Sequence, residues 1–391
     1  MATARKKILF ITGDRAEYDI QYPIMREAHD SDDLECLIAV AGSHLVERFG
    51  MTVRDIERDG FRITARIANL LASDRPAARA KSAGIEMSAF ADLVELELPD
   101  FLCVMGDRED TLAAAAVGVY TGIPVIHIGG GDRADDGNAD NLVRDAVTKL
   151  SHIHLAASEL SRERIVALGE EPWRVAMIGA PGLDRLRATE QLDDEEFWFR
   201  IGSPRPNGPL VLMIQHPLLP EYAEARAQIM ETLAALRELA VTAFVGRPNS
   251  DPGNSGMLAA LEQAAATDPN IRLFKNLDRT LFVNLMRRAH AMVGNSSAGI
   301  IEAPFLRLPA VNVGRRQLGR EHALNVVFVD HDRKAIAQAL GRALFDVDYR
   351  EKLSHAPNPY GDGHAGARAI AFVRSLAHDP KRLLLKRQSP Q

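Results

Sequence analysis

FLCVMGDREDTLAAAAVGVYTGIPVIHIG, residues 101–129, reads as strand, helix, strand. The flanking runs FLCVMG and PVIHIG are short, apolar and free of polar alternation, the composition of strands buried within a sheet. Between them DTLAAAAVGVYTG is long enough for a helix and closes on a glycine stop. Two buried strands joined through a helix form a βαβ unit, which requires a parallel sheet.

The alternation extends outward on both sides. Upstream, KILFIT and LECLIAVA read as strands, with DIQYPIMREAHD and AFADLVELEL as helices; downstream, IHLAAS is a further strand. The pattern breaks at DRLRATEQLDDEEFWFRIGSPRPNGP, which is charged and then rich in proline and glycine. It resumes with strands LVLMIQ, VTAFVG, IRLFKN, AMVGN and PAVNVG, separated by helices YAEARAQIMETLAALRELA, SGMLAALEQAAA, RTLFVNLMRRA and AGIIEAPFL. The expectation is an α/β protein with two Rossmann-like, doubly wound domains, 1–190 and 205–368. A C-terminal segment, 369–391, is expected to pack back as a helix and tail, with catalysis in the interdomain cleft.

A chain of 391 residues with 46% hydrophobic content has room for two cores. Its net charge of -6 and pI near 6.1 give no general attraction to nucleic acid or to an anionic membrane. Cys36 and Cys103 lie in apolar runs without metal or redox spacing, as expected of buried free thiols. The opening MATARKKILFITGD has an apolar run too short for a signal peptide, and no stretch approaches the roughly 20 residues of a bilayer span. A cytoplasmic protein is expected.

In open parallel sheets ligands sit beyond the carboxyl ends of strands, so residues after each strand carry the functional reading. TGDRAEYD sets Arg15 behind a glycine, a pairing that suits a phosphate and is also common at strand-to-helix turns. After FLCVMG come Asp107, Arg108, Glu109 and Asp110; Asp107 is a candidate acid/base group and equally a candidate helix N-cap. The next strand ends in HIGGGDRADDGNAD, residues 127–140, where Asp132, Asp135, Asp136 and Asp140 follow three glycines. Glycines permit close backbone approach, and carboxylates gathered from adjacent strand ends raise one another's pKa, as proton transfer requires. A magnesium site is the competing account.

In the second half MIQHPLLP puts His216 at a strand end, a candidate base by its ordinary pKa. GRPNSDPGNSG adds Arg247, Asn249, Ser250 and Asp251. VGNSSAGIIEAP, residues 293–304, joins a strand to a helix, so free N–H groups with Ser296 and Ser297 can cradle a diphosphate, while Glu302 can accept ribose hydroxyls. Arg315, Arg316 and Arg320 follow the last expected strand as counter-ions. The second domain thus reads as a nucleotide-diphosphate holder and the first as the place of acid and base.

In order, TGDRAEYD, AGSHL, MGDRED, VTKLSHIHLAAS, IGAPGLD, QHP, PNSDPG, GNSSAGIIEAP and VNVGRRQLGR resemble the hydrolysing UDP-N-acetylglucosamine 2-epimerases of sialic and nonulosonic acid pathways. The resemblance implies a GT-B fold, a homodimer or homotetramer, a UDP-linked N-acetylhexosamine as substrate, and no metal or other cofactor. It implies two steps: loss of the C2 proton and of UDP from C1 gives a 2-acetamidoglucal, and water then adds to give N-acetylmannosamine. Carried across, it makes Asp107, Asp132 and Asp140 acid/base groups and puts His216 at the diphosphate and C1 oxygen. Ser296, Ser297 and Glu302 hold UDP, with Arg15, Arg247, Asn249, Arg316 and Arg320 in the same nucleotide site and His44, Arg108 and Arg144 at the sugar.

The chain departs from the family in three places, one of them an extra residue between Asp132 and Asp140. Relatives read His-Gly-Gly-Glu where this chain has Gly129-Gly130-Gly131-Asp132, and Arg-His where it has Arg144-Asp145. A loop so altered allows a different nucleotide sugar or a repositioned base, because an error of about 1 Å in a catalytic group costs on the order of a hundredfold in rate. A non-catalytic nucleotide-sugar-binding protein is the alternative.

Overall fold

Apolar runs without polar interruption become the inner strands of two parallel sheets. The computed structural model describes residues 5–71, 76–135, 140–249, 253–274, 277–376 and 379–387. Its contacts divide the chain into two units, the first Met1–Asp132, Ala139–Arg185 and Tyr360–Gln391, the second Arg133–Asn138 and Leu186–Pro359.

In the first unit seven strands, β1 (Lys6–Thr12), β2 (Leu34–Val40), β3 (Ile63–Arg66), β4 (Phe101–Met105), β5 (Val125–Ile128), β6 (Ile153–Ala156) and β7 (Val175–Met177), pair in the order β3-β2-β1-β4-β5-β6-β7. All neighbours are parallel. The winding reverses between β1 and β4, so the turns after these two strands open side by side, the position at which doubly wound sheets take ligands. One face of the sheet buries Ile8, Phe10, Ile38, Phe101 and Ile126; the other buries Leu9, Ile11, Leu102, Val104 and Val125. That alternation explains why the strands read as unbroken apolar runs.

In the second unit β8 (Leu210–Ile214), β9 (Thr242–Gly246), β10 (Ile271–Phe274), β11 (Ala291–Gly294), β12 (Ala310–Val313) and β13 (Val326–Val329) form a second parallel sheet, β10-β9-β8-β11-β12-β13, with its reversal between β8 and β11. Both doubly wound sheets are as expected, and β12, expected as the last strand, is followed at the edge by β13.

Two further differences have physical reasons. The helix expected over AFADLVELEL begins far earlier, at Pro76, and runs to Glu97. Its first buried stripe is Ala78, Ser82 and Glu86, at helical spacing but largely polar: Ser82 donates to the Asn69 carbonyl and Glu86 accepts from the Asn69 amide. A hydrophobicity pattern cannot register such a stripe. The return to the first unit begins at Tyr360, earlier than 369, because the Tyr360 carbonyl accepts from Ala180 N–H and Asp184 takes both Ala365 and Gly366 N–H, each at 2.8 Å. The helix Ala365–Leu376 capped in this way packs on the helix Arg15–His29. Cys36 and Cys103 are free, Cys103 buried and Cys36 half-buried. Among the described residues no helix is long and apolar enough to cross a membrane.

Candidate active site

The turns after β1 and β4 carry the charged groups of the first unit. After β4, Gly106 takes a left-handed φ of +80° and Asp107 follows. Asp107 is not the N-cap of the next helix; that position belongs to Arg108. The Asp107 carboxylate pairs instead with the guanidinium of Arg144, which is 7% exposed and comes from the helix Asp140–Leu150. Arg144 also donates to the Asp132 carbonyl, so one guanidinium ties the β4 turn to the glycine-rich loop after β5. An ionised carboxylate has only acceptor capacity, and the guanidinium fixes the direction in which this one points.

Arg108 reaches back to the β1 turn, 2.9 Å from Asp14 and 3.7 Å from Glu17. Asp14 caps the helix Arg15–His29 by accepting from Glu17 N–H. The Glu17 carboxyl accepts from Gly13 N–H at 2.8 Å, a capping box displaced by one residue. Burial, then neighbouring Asp110, raises the Glu17 carboxyl well above the usual carboxylate range, and burial likewise raises Asp110. Two carboxyl groups buried side by side disfavour a second negative charge. A Cβ on Gly13 would lie 2.5 Å from the Asp110 carboxylate and would displace it.

In the second unit Asn295 clamps the two strand ends at the reversal. Its side chain accepts from His216 N–H at 2.7 Å and donates to the His216 carbonyl at 2.9 Å. The His216 Nδ1 accepts from Asn249 N–H at 3.0 Å, so the ring proton sits on Nε2. Arg316 and Gln317 both donate to the Asn295 carbonyl, at 3.1 and 3.0 Å. The hydroxyl of Ser296 accepts from Ala298 N–H, whereas Ser297, at the N-cap of the helix Ala298–Phe305, makes no side-chain cap. Glu302, one turn into that helix, pairs with Arg279 at 2.9 Å.

The family model described as UDP-N-acetylglucosamine 2-epimerase matches residues 26–374. The chain belongs to this family. A UDP-N,N'-diacetylbacillosamine 2-epimerase (hydrolyzing) of Legionella pneumophila is 34% identical, over 95% of this chain and 96% of that protein. A GDP/UDP-N,N'-diacetylbacillosamine 2-epimerase (hydrolyzing) of Campylobacter jejuni is 31% identical, over 83% and 84%. The crystal structure of a Neisseria meningitidis UDP-GlcNAc 2-epimerase bound to UDP-GlcNAc has the same fold, with a TM-score of 0.81, 19% identity, and 94% of this chain and all of that one covered. The two Rossmann-like units are thus those of a GT-B-type epimerase.

Within this family member, the residues singled out by the sequence divide. Asp107, Asp132 and Arg144 come together in the first unit, with Asp140 at the start of the Arg144 helix. Arg108 lies with Asp14 and Glu17, and Arg15, first in its helix, is half exposed beside Asp19. His44, expected at the sugar, is fully buried between the hydroxyls of Thr12 (3.0 Å) and Thr52 (2.7 Å), and burial lowers its pKa to about 4. It is a satisfied core histidine. Asp135 belongs to the second unit, where its N–H donates to the Leu318 carbonyl and its carboxylate abuts Gly319. Asp136, Ser250 and Asp251 lie outside the described residues, among which no metal-binding group of three or more His, Cys, Asp or Glu occurs.

In the second unit His216, Asn249, Ser296, Ser297 and Arg316 gather around Asn295. Arg320 donates to Gln317, Arg247 pairs with Glu262 on the surface, and Arg315 pairs with Glu221. Glu17 was not singled out by sequence, although its place three residues after Asp14 is the capping-box signal.

His216 is not the near-neutral base its type suggests. Burial, then Arg316, lowers its pKa to about 4, which leaves a neutral imidazole with Nε2–H as a donor. The folded pKa is below the unfolded one, so the unfolded state takes the proton first, and the His216 contribution to stability is lost as pH falls below about 6.5. NMR titration is expected to show the His216 ring unchanged from about pH 8 to 5.5 with a midpoint near 4. A midpoint near neutrality would restore it as a base.

Proposed function

We propose that the chain hydrolyses a UDP-linked 2-acetamido sugar with inversion at C2, and that its preferred substrate is UDP-N,N'-diacetylbacillosamine. The observation that carries the reaction is the Asp107 carboxylate held by Arg144 at the end of β4. Asp107 takes the C2 proton as the C1–O bond to UDP breaks, leaving a C1=C2 double bond. Water then adds its hydroxyl to C1, and a proton returns to C2 from the opposite face, with Asp132 and Asp140 as the nearby acids. His216 donates its Nε2–H to the departing phosphate oxygen, while the hydroxyls of Ser296 and Ser297, just before the helix Ala298–Phe305, hold the diphosphate. Glu302 takes the ribose hydroxyls, its other contact being Arg279.

The sugar assignment rests on the two relatives named for diacetylbacillosamine and on the Gly129 and Asp132 departures, which alter the loop beside Asp107. UDP-GlcNAc is the second reading, favoured by the family model and by the fold. An NMR time course in D2O with each nucleotide sugar tests both. Release of UDP with a 2-epimerised sugar deuterated at C2, faster from the diacetamido substrate, is the expected result. Faster turnover of UDP-GlcNAc would transfer the assignment to that sugar. Binding of UDP without turnover of either would reject the enzymatic reading.

A further inference from the structure

Asp107 takes its direction from the turn on which it sits, and that turn is held from beneath by a side chain that the reaction above does not use. His127, in the middle of β5, is fully buried. Its Nε2 lies 2.9 Å from the Gly106 carbonyl and its Nδ1 lies 3.2 Å from the Thr148 hydroxyl. A carbonyl only accepts, so Nε2 carries the proton and Nδ1 accepts from Thr148. The Gly106 N–H in turn donates to the Ile128 carbonyl at 2.9 Å. Both backbone polar groups of the residue preceding Asp107 are therefore tied to β5, one of them through an imidazole.

Thr148 and Arg144 stand one turn apart on the same face of the helix Asp140–Leu150. Arg144 grips the Asp107 carboxylate, and Thr148 grips His127, which grips Gly106. Two arms from one helix face converge on consecutive residues. The same arrangement accounts for the middle glycine of the run after β5. Gly129 and Gly131 have left-handed φ of +79° and +74°, and a Cβ on Gly131 would lie 2.1 Å from the Ser161 carbonyl. Gly130 has no such φ, but a Cβ there would stand 3.0 Å from the Thr148 hydroxyl and 3.1 Å from His127 Nδ1, pressing on the hydrogen bond between them.

We propose that His127 and Thr148 are positioning residues that set the Gly106–Asp107 turn, an inference that rests on the reading of Asp107 as the proton-handling carboxylate. Four substitutions in the full chain separate this from a merely structural role. His127→Gln keeps an amide N–H at the reach of Nε2, whereas His127→Asn ends near Nδ1 and cannot span to Gly106. Thr148→Ser keeps the hydroxyl, and Thr148→Val removes it at nearly constant volume. His127→Asn and Thr148→Val are expected to lower kcat on the order of ten- to a hundredfold, with KM for the nucleotide sugar and affinity for UDP unchanged, while His127→Gln and Thr148→Ser recover most of the rate. Loss of melting temperature alone, with kcat of the folded protein intact, would overturn the proposal, as would equal rates for the asparagine and glutamine variants. If the unmodified chain turns over no nucleotide sugar, the reading of Asp107 fails by itself, and crystal structures then decide the positioning role. The turn displaced in His127→Asn and in place in His127→Gln upholds it, and a turn unmoved in both refutes it.

Discussion

An Arg144→Leu chain is expected to lose measurable turnover and to melt about 10 °C lower. Breaking a buried ion pair by removing one partner costs about 3–5 kcal/mol, because the other charge is left buried without compensation. In a folding unit of roughly 150–250 residues, the size class of the first unit, each kcal/mol moves the midpoint by about 2–4 °C. Arg144 is 7% exposed and the Asp107 side chain that it would leave unpaired is 19% exposed, which places the loss at the lower end of that range; its second donor holds the Asp132 carbonyl. Its loss frees two candidate acid/base groups at once, and a displacement of about 1 Å in each suffices for on the order of a hundredfold per group. Lysine in its place would restore the charge without the fork that spans carboxylate and carbonyl, so Arg144→Lys should recover stability more than rate. Adding Asp107→Asn to Arg144→Leu should restore much of the melting temperature and none of the turnover. Calorimetric melting and a UDP-release assay on the three chains check this; an Arg144→Leu chain that melts and turns over like the unmodified one would remove the pair from the site.

What the sequence makes legible here is what burial writes into it. Strands β1, β4, β8 and β11 are covered on both faces, read as apolar runs, and lead through topology alone to Asp107, His216 and the Ser296 turn. Edge strands of three or four residues, β3 and β7, bury too little to leave a signal. The start of the helix Pro76–Glu97 is hidden because its inward residues, Ser82 and Glu86, are satisfied by Asn69 and not by apolar contact. Side-chain direction is less legible still. His44 and His216 both stand near strand ends, yet two threonine hydroxyls lock the first in the core, and only Asn249 N–H at Nδ1 shows that the second presents Nε2–H. His127 reads as one more strand residue within VIHI, since its partners, the Gly106 carbonyl and Thr148, are brought in by sheet register and by the packing of the following helix.

The proposed diphosphate cradle has its own test in two glycines five residues apart. Gly294, at the end of β11, has φ +124°, a region that side-chain-bearing residues rarely adopt. A Cβ there would lie 2.1 Å from the Ile214 carbonyl oxygen, 2.6 Å from its carbon and 3.1 Å from Gln215 N. These are backbone atoms at the end of β8, with no rotamer by which to withdraw, so alanine must push β11 off β8. The clamp between Asn295 and His216 spans that junction and would be lost with it. Strain and overpacking together are expected to cost about 2–6 kcal/mol, and UDP affinity should fall beyond detection. Gly299, in the helix that follows, faces only ordinary contacts, 3.5 Å to Ala310 Cβ and 3.8 Å to the Met292 sulfur. Alanine is favoured over glycine in a helix by up to about 1 kcal/mol, so Gly299→Ala should melt at or slightly above the unmodified temperature and bind UDP as before. Isothermal calorimetry with UDP on both variants makes the comparison. Equal binding by the two would mean that the approach of β11 to β8 does not shape the cradle, and loss in both would mean that the helix start itself tolerates no added atom beside the diphosphate.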